Sequence, residues 1–339
     1  MHMADALLSP AVGGAMYALS AAAVTYSAVK VKKDDLGEKK LPVMAVSGAF
    51  VFAAQMINFT IPGTGSSGHI GGGVLLAAML GGAPALLTIA AVLIIQCLFF
   101  ADGGLLALGA NIFNIGVIPC LLAFPLIYKP ILKKGFTFKR LTAASVITVV
   151  VGLQLGAFGV VLETLASGVT ELPFSTFVAL MQPIHLAIGL VEGIITAAVL
   201  SFVYKMRPEI MESTIAGTPV GSQVSVKRVI TVLAVATVIV GGALSLFASS
   251  NPDGLEWAII KTAGTAELEA ADDFRQGAAQ LQEKISFMPD YDFAAAGEEG
   301  SSTGTTVAGI VGGAMTFALA GITGLLITLS KRKKGAAKA

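Results

Sequence analysis

Charge is what this sequence has least of. Asp, Glu, Lys and Arg make up 13% of its 339 residues, against roughly 25% in an ordinary soluble domain. With 55% of the chain hydrophobic, polar groups cannot cover the surface, which excludes a free-standing fold in water. Cysteine is almost missing as well. Cys97 and Cys120 both lie inside apolar runs, with nothing beside them to generate a thiolate, so they read as packing residues and say little about redox compartment. No Gly-rich turn is followed by the Lys of a nucleotide-binding loop, and there is no His-Glu-x-x-His pair and no nucleophile set beside a base. ATP hydrolysis would have to come from another subunit, and a membrane metalloprotease lacks its zinc motif.

What the chain has is long apolar runs, each able to cross a hydrocarbon core of roughly 30 Å. Helices satisfy their own backbone groups in lipid, and the runs predict spans near residues 10–29, 42–60, 70–82, 84–101, 106–128, 141–165, 176–204, 229–249 and 306–330. No basic residue precedes the first span, so it is not read as a cleaved signal, and the native N-terminus is expected to be retained. Nineteen of the 22 Lys and Arg residues fall in four places, Lys30 to Lys40, Lys129 to Arg140, Lys205 to Arg228 and Lys331 to Lys338. Placing all four on the cytoplasmic side makes residues 70–101 a hairpin turning at Gly81-Gly82-Ala83-Pro84. It also puts the N-terminus outside and the C-terminus inside.

Residues 1–204 form one compact block of seven predicted spans. Residues 205–228, rich in Ser, Thr and Gly, read as a cytoplasmic linker. Residues 229–330 follow as a second unit of two spans bracketing an external segment, 250–305, which holds eleven of the 21 acidic residues and three basic ones. That segment reads either as a solvated loop or as a negative field that concentrates divalent cations near the mouth.

The three histidines are His2, His69 and His185. His2 follows an initiator Met that its bulk protects from removal. The α-amine of Met1, the amide nitrogen of His2 and its Nδ1 can close two fused chelate rings on one ion, and a tetragonal Ni(II), Cu(II) or Co(II) ion then needs one more donor. The topology puts His69 on the same side as the N-terminus. It stands just before a span of about 13 residues, too short at 1.5 Å each to cross unaided, so its loop is expected to dip into the protein and form a recessed site.

The opening Met1-His2-Met3-Ala4-Asp5-Ala6-Leu7-Leu8-Ser9-Pro10, the run Asn58-Phe59-Thr60-Ile61-Pro62-Gly63-Thr64-Gly65-Ser66-Ser67-Gly68-His69, and Asp102-Gly103-Gly104-Leu105-Leu106-Ala107-Leu108-Gly109-Ala110-Asn111 occur in that order. Together they resemble the substrate-capturing subunits of cobalt and nickel energy-coupling-factor transporters, departing from the usual opening at Ala4 and Ala6, where Pro and Gly are the rule. Asn251-Pro252-Asp253-Gly254-Leu255-Glu256-Trp257 and Met288-Pro289-Asp290-Tyr291 resemble the small two-span accessory subunit of the same transporters; by itself Pro252-Asp253-Gly254 reads as a turn. The resemblance implies a fusion of the two subunits. It further implies an all-α integral membrane protein of the cell membrane, with a bundle of about seven helices that binds substrate and a two-helix accessory unit. Met1, His2 and His69 would hold Ni2+ or Co2+ as transported substrate. The partners would be a transmembrane coupling subunit and ATP-binding cassette ATPases, with no nucleic acid involved.

Four further residues are candidates to orient the ligands: Asn58, Gln55, Asn111 and His185. His185 and Glu192, seven residues apart on one helical face, also suggest a proton-coupled carrier that works without ATPase partners. Sequence does not choose nickel over cobalt, since nitrogen donors accept both.

Overall fold

The computed structural model describes residues 1–339 except 34–39, 171, 222, 266, 267, 269–271, 294–301 and 337–339. The first unit is a bundle of seven helices: α1 (Pro10–Lys33), α2 (Lys40–Gln55), α3 (Gly73–Leu80), α4 (Gly82–Phe100), α5 (Leu108–Lys133), α6 (Phe138–Ser167) and α7 (Phe174–Met206). Five more follow: α8 (Pro208–Ala216), α9 (Lys227–Gly242), α10 (Gly254–Ala263), α11 (Asp273–Ile285) and α12 (Ser302–Ala336). Six helices among the described residues are long and apolar enough to span a bilayer, namely α1, α4, α5, α6, α7 and the Thr303–Ile327 part of α12.

Three expected spans are shorter than their apolar runs. The run at 70–82 yields only α3, eight residues long and about 12 Å at 1.5 Å per residue, buried along its whole length. It ends at Gly81 (φ +91°), whose N–H donates to Ala77 O, and the chain turns straight into α4. Gly82 lies against the carbonyl of Cys120, where a Cβ has no room. The run at 42–60 is helical only to Gln55, because Phe59–Ile61 (β1) pairs antiparallel with Ser66–Gly68 (β2). The turn between them uses Gly63 (φ +77°) and Gly65 (φ +75°), conformations that glycine adopts without steric cost. In the second unit the run at 229–249 is shortened in the same way, with α9 ending at Gly242 and a short turn at Leu244–Phe247 following.

The buried α4 is the axis of the bundle. Apolar residues on the outer faces of α6 and α7, among them Leu155, Leu162, Leu190 and Ile194, are exposed, as a lipid-facing surface requires. Inside α5, Pro119 and Pro125 interrupt the regular backbone ladder, and Ile112–Tyr128 takes the wider i→i+5 winding. Pro119 packs on Gly73 at the start of α3.

The second unit is not loosely tethered. Within the expected linker, α8 buries Ile210, Met211 and Ile215, and Thr214 Oγ1 donates to Met79 O at 3.0 Å. α9 and α12 pack along α2, with Gly312 of α12 set against the Phe52 ring and Gly241 of α9 against Gly309. The described parts of the acidic segment fold back over the first unit. Ser249 N donates to Asn58 O (2.7 Å), Ser67 N to Pro252 O (2.8 Å), and Trp257 Nε1 to Thr64 O (2.9 Å). Further round, Arg275 Nη1 reaches Ala6 O (3.1 Å), and Gln282 Nε2 bonds Cys97 O (2.9 Å) and Gly103 O (2.7 Å). Four of its acidic residues, Glu267, Glu269, Glu298 and Glu299, lie outside the described residues.

Candidate metal-capture site

The first nine residues enter the protein rather than trailing from it. Met3 is fully buried. Asn111 grips its backbone from both sides, Oδ1 accepting from Met3 N at 2.8 Å and Nδ2 donating to Met3 O at 3.2 Å. Gly104 N donates to the same carbonyl at 2.9 Å, and Asp5 Oδ1 accepts from Ala107 N at 3.0 Å. The loop after α4 thus acts as a receptor for the N-terminal segment and brings the α-amine to the β-hairpin.

There the amine of Met1 lies 3.3 Å from His69 Nε2 and 2.5 Å from Asp253 Oδ2. His69 Nδ1 is 3.1 Å from the Ile70 carbonyl. A carbonyl only accepts, so Nδ1 carries the proton and Nε2 presents a lone pair to the amine. The His2 ring stacks on His69 with centroids 5.3 Å apart and planes 10° from parallel. Its Nδ1, the atom a chelate would use, is 3.1 Å from Asp102 Oδ1, and Tyr291 OH donates to the other oxygen of Asp102. Among the described residues no three His, Cys, Asp or Glu side chains gather closely enough to hold a metal by themselves, so a complete donor set here has to draw on the amine and backbone.

Electrostatics favours a neutral imidazole at His69. Burial, then the N-terminal ammonium and His2, push it down to about 3 against the pull of Asp253 and Asp102. Burial alone would raise both carboxyls. Instead, His2 and the Tyr291 hydroxyl hold Asp102 down to about 2, and the N-terminal ammonium holds Asp253 below the usual carboxylate range. Both chelating groups, amine and imidazole, therefore rest on carboxylates.

The site separates two spaces. Outside is a vestibule of about 500 Å3 lined by His2, His69 and several acidic residues, Asp102, Asp253, Glu256 and Asp290 among them. Inside is a cavity of about 40 Å3 whose lining includes Met1, His69, Asp253, His185, Ile188 and Glu192. Of the four residues expected to orient ligands, Gln55 Nε2 donates to Gly71 O (3.1 Å) and steadies the loop after His69. Asn111 holds the chain after His2. Asn58 lines the vestibule and takes Ser249 on its backbone carbonyl. His185 lines the inner cavity. Asp253 against the amine, Asp102 against His2 and Tyr291 against Asp102 entered the sequence reading only as motif residues, with no part in the site. Asp253 looked like a turn residue, and it is also that: its Oδ1 caps α10 by accepting from Leu255 N (2.7 Å) and Glu256 N (2.9 Å), which leaves Oδ2 for the amine.

The bundle thus draws its own N-terminus into a recessed, nitrogen-rich pocket, and comparison with known proteins gives the class of protein. Residues 2–210 match the family described as cobalt uptake substrate-specific transmembrane region, and residues 227–329 match the PDGLE domain. The chain belongs to that cobalt-uptake family, as a multi-pass metal-transport component in which the capture and accessory subunits are fused. Over 212 residues it is 36% identical to the fused nickel transport protein NikMN of Archaeoglobus fulgidus, covering 62% of this chain and 68% of that one. With the fused nickel transport protein NikMN of Rhodobacter capsulatus it shares 30% identity, covering 62% and 64%. A crystal structure of a truncated transition metal transporter superposes with a TM-score of 0.54 at 30% identity, covering 61% of this chain and 99% of that one.

Proposed function

We propose that this chain captures Ni2+ or Co2+ from outside the cell through the Met1 amine and amide-linked His2, with His69 Nε2 as the closing donor, and delivers the ion inward as the substrate-specific component of an ATP-driven energy-coupling-factor transporter. The observation that carries the capture site is the α-amine itself, buried at 3.3 Å from the His69 imidazole nitrogen, with the His2 imidazole stacked on the His69 ring. On binding, the ion takes the place of one proton on the amine and of the His2 amide proton, both released to water, and the amine leaves Asp253 while His2 Nδ1 turns from Asp102 to close the second chelate ring. Two carboxylates beside the site then offset part of the ion's charge. The inside location of the Lys and Arg clusters orients the N-terminus outward, and the acidic vestibule raises the local concentration of divalent cations.

The relatives' names support nickel or cobalt as cargo. A transmembrane coupling subunit and a pair of ATP-binding cassette subunits supply the energy, and the units divide as residues 1–204 for capture and 229–330 for assistance. Two experiments test this. One residue added before Met1 leaves the helices intact and abolishes tight Ni2+ binding by calorimetry; undiminished affinity would sink the capture site. Uptake in vesicles should require the ATPase partners and ATP, and uptake by this chain alone, driven by a proton gradient, would favour a secondary carrier.

A further inference from the structure

His69 is prepared as a ligand by one local feature, an Nδ1–H given to a carbonyl that leaves the Nε2 lone pair facing the cavity. His185 has the same preparation. It is buried in α7 with only 1% exposure, its Nδ1 lies 2.8 Å from Met181 O, and the carbonyl again fixes the proton on Nδ1. Its Nε2 is buried and has no hydrogen-bond partner among the described residues. A buried imidazole nitrogen in that state calls for a partner, and the arrangement, one ring nitrogen anchored and the other presented, is how proteins orient metal-ligating histidines.

Position separates the two. His69 lines both the outer vestibule and the inner cavity, whereas His185 lines the inner cavity but not the vestibule. Above His185 the second unit closes the space with Gly254, where a Cβ would stand 3.2 Å from Nε2, 3.1 Å from Cε1 and 2.8 Å from Ile188 Cδ1. The missing side chain leaves the lone pair uncovered. The cavity, about 40 Å3, has room for an ion with a water or two, and Glu192 provides a carboxylate on the same face two turns further along α7.

We propose that His185 Nε2 is the nitrogen ligand of a second, inner metal position in this cavity, which a divalent ion of nickel or cobalt type reaches after leaving the outer donors. The proposal rests on the capture reading for the ion's source, and on His185 alone for the inner nitrogen.

Co2+ is the probe, because its visible absorption reports its ligands, and the full chain in detergent is the sample. With one residue added before Met1, the tight site is lost, and a weaker binding of one Co2+ per chain remains. H185Q on that background weakens the remaining binding about tenfold or more. H185C restores it, now with a sulfur-to-cobalt charge-transfer band that a merely structural side chain would not produce. Residual binding untouched by H185Q, a folded H185C that binds without the band, or no residual binding at all would each overturn the inner position. Undiminished tight binding in the extended protein would instead overturn the outer set, a separate failure, and H185Q would still read the inner one.

Discussion

At the scale of single residues, two of the prospective metal donors are paired with carboxylates, the amine with Asp253 and His2 with Asp102, while His69 is anchored on the Ile70 carbonyl. These pairs hold the donors in place, and their loss has a measurable cost. Asp253→Asn and Asp102→Asn should each weaken Ni2+ binding by about tenfold, because each removes a negative charge beside the ion, and calorimetry on the two proteins checks it. A pH dependence follows from the same groups. His69 is pushed down to about 3 and Asp102 to about 2, and Asp253 lies low as well, so across pH 5–8 none of these three changes charge. Binding through nitrogen requires donor lone pairs free of protons. Lowering pH refills those lone pairs, so Ni2+ affinity should fall steadily from pH 8 to pH 5. A flat profile would argue for oxygen ligands.

At the scale of elements, short pieces place the site and long helices carry it. The turn Asp5–Leu7, the β-hairpin and the loop following α4 meet where the N-terminus enters. Gly104 is the tightest point of that junction. A Cβ there would collide with the Asp5 carboxylate and stand 2.5 Å from the Asp5 backbone nitrogen. Gly104→Ala should therefore push the N-terminal segment off its receptor and lower metal affinity as far as an N-terminal extension does, while circular dichroism shows the helices unchanged. The other side of the pocket is held by the Pro289–Tyr291 turn, where Asp290 (φ +52°) and Tyr291 (φ +63°) both occupy the left-handed region, uncommon for residues with side chains. That backbone delivers the Tyr291 hydroxyl to Asp102.

At the scale of the molecule, the second unit both packs on the first and reaches the cluster of Met1, His2 and Asp102. Its helices bury the α2 face, and its external segment supplies Asp253 and Tyr291. A chain ending after Met206 keeps Met1, His2 and His69, the nitrogen donors proposed above. It should fold and bind Ni2+, weakened no more than by Asp253→Asn, yet take up metal poorly in cells that carry the partners. Complete loss of binding would mean that the second unit provides a ligand, and full uptake would leave it without a transport role.

Hydropathy alone was enough for the fold class, because a run of apolar residues in lipid has little alternative to a helix, and seven helices followed by a two-span unit were readable from it. The ends of those helices were not. Residues 56–72 are as apolar in places as a span, but Pro62, Gly63 and Gly65 stop the helix and pairing of Phe59 with Gly68 makes a hairpin, which a hydropathy window averages away. Met1, His2 and His69 stood out because the chemistry expected of them is local: two adjacent residues can close a chelate, one Gly/Ser loop carries the imidazole, and the resemblance names the three together. Asp253 is 252 residues from Met1 and Tyr291 is 189 from Asp102. Contacts between groups so distant along the chain arise only when α9 and α12 pack on α2 and carry the segment between them over the mouth, and tertiary packing alone brings Asp253 to the amine and Tyr291 to Asp102.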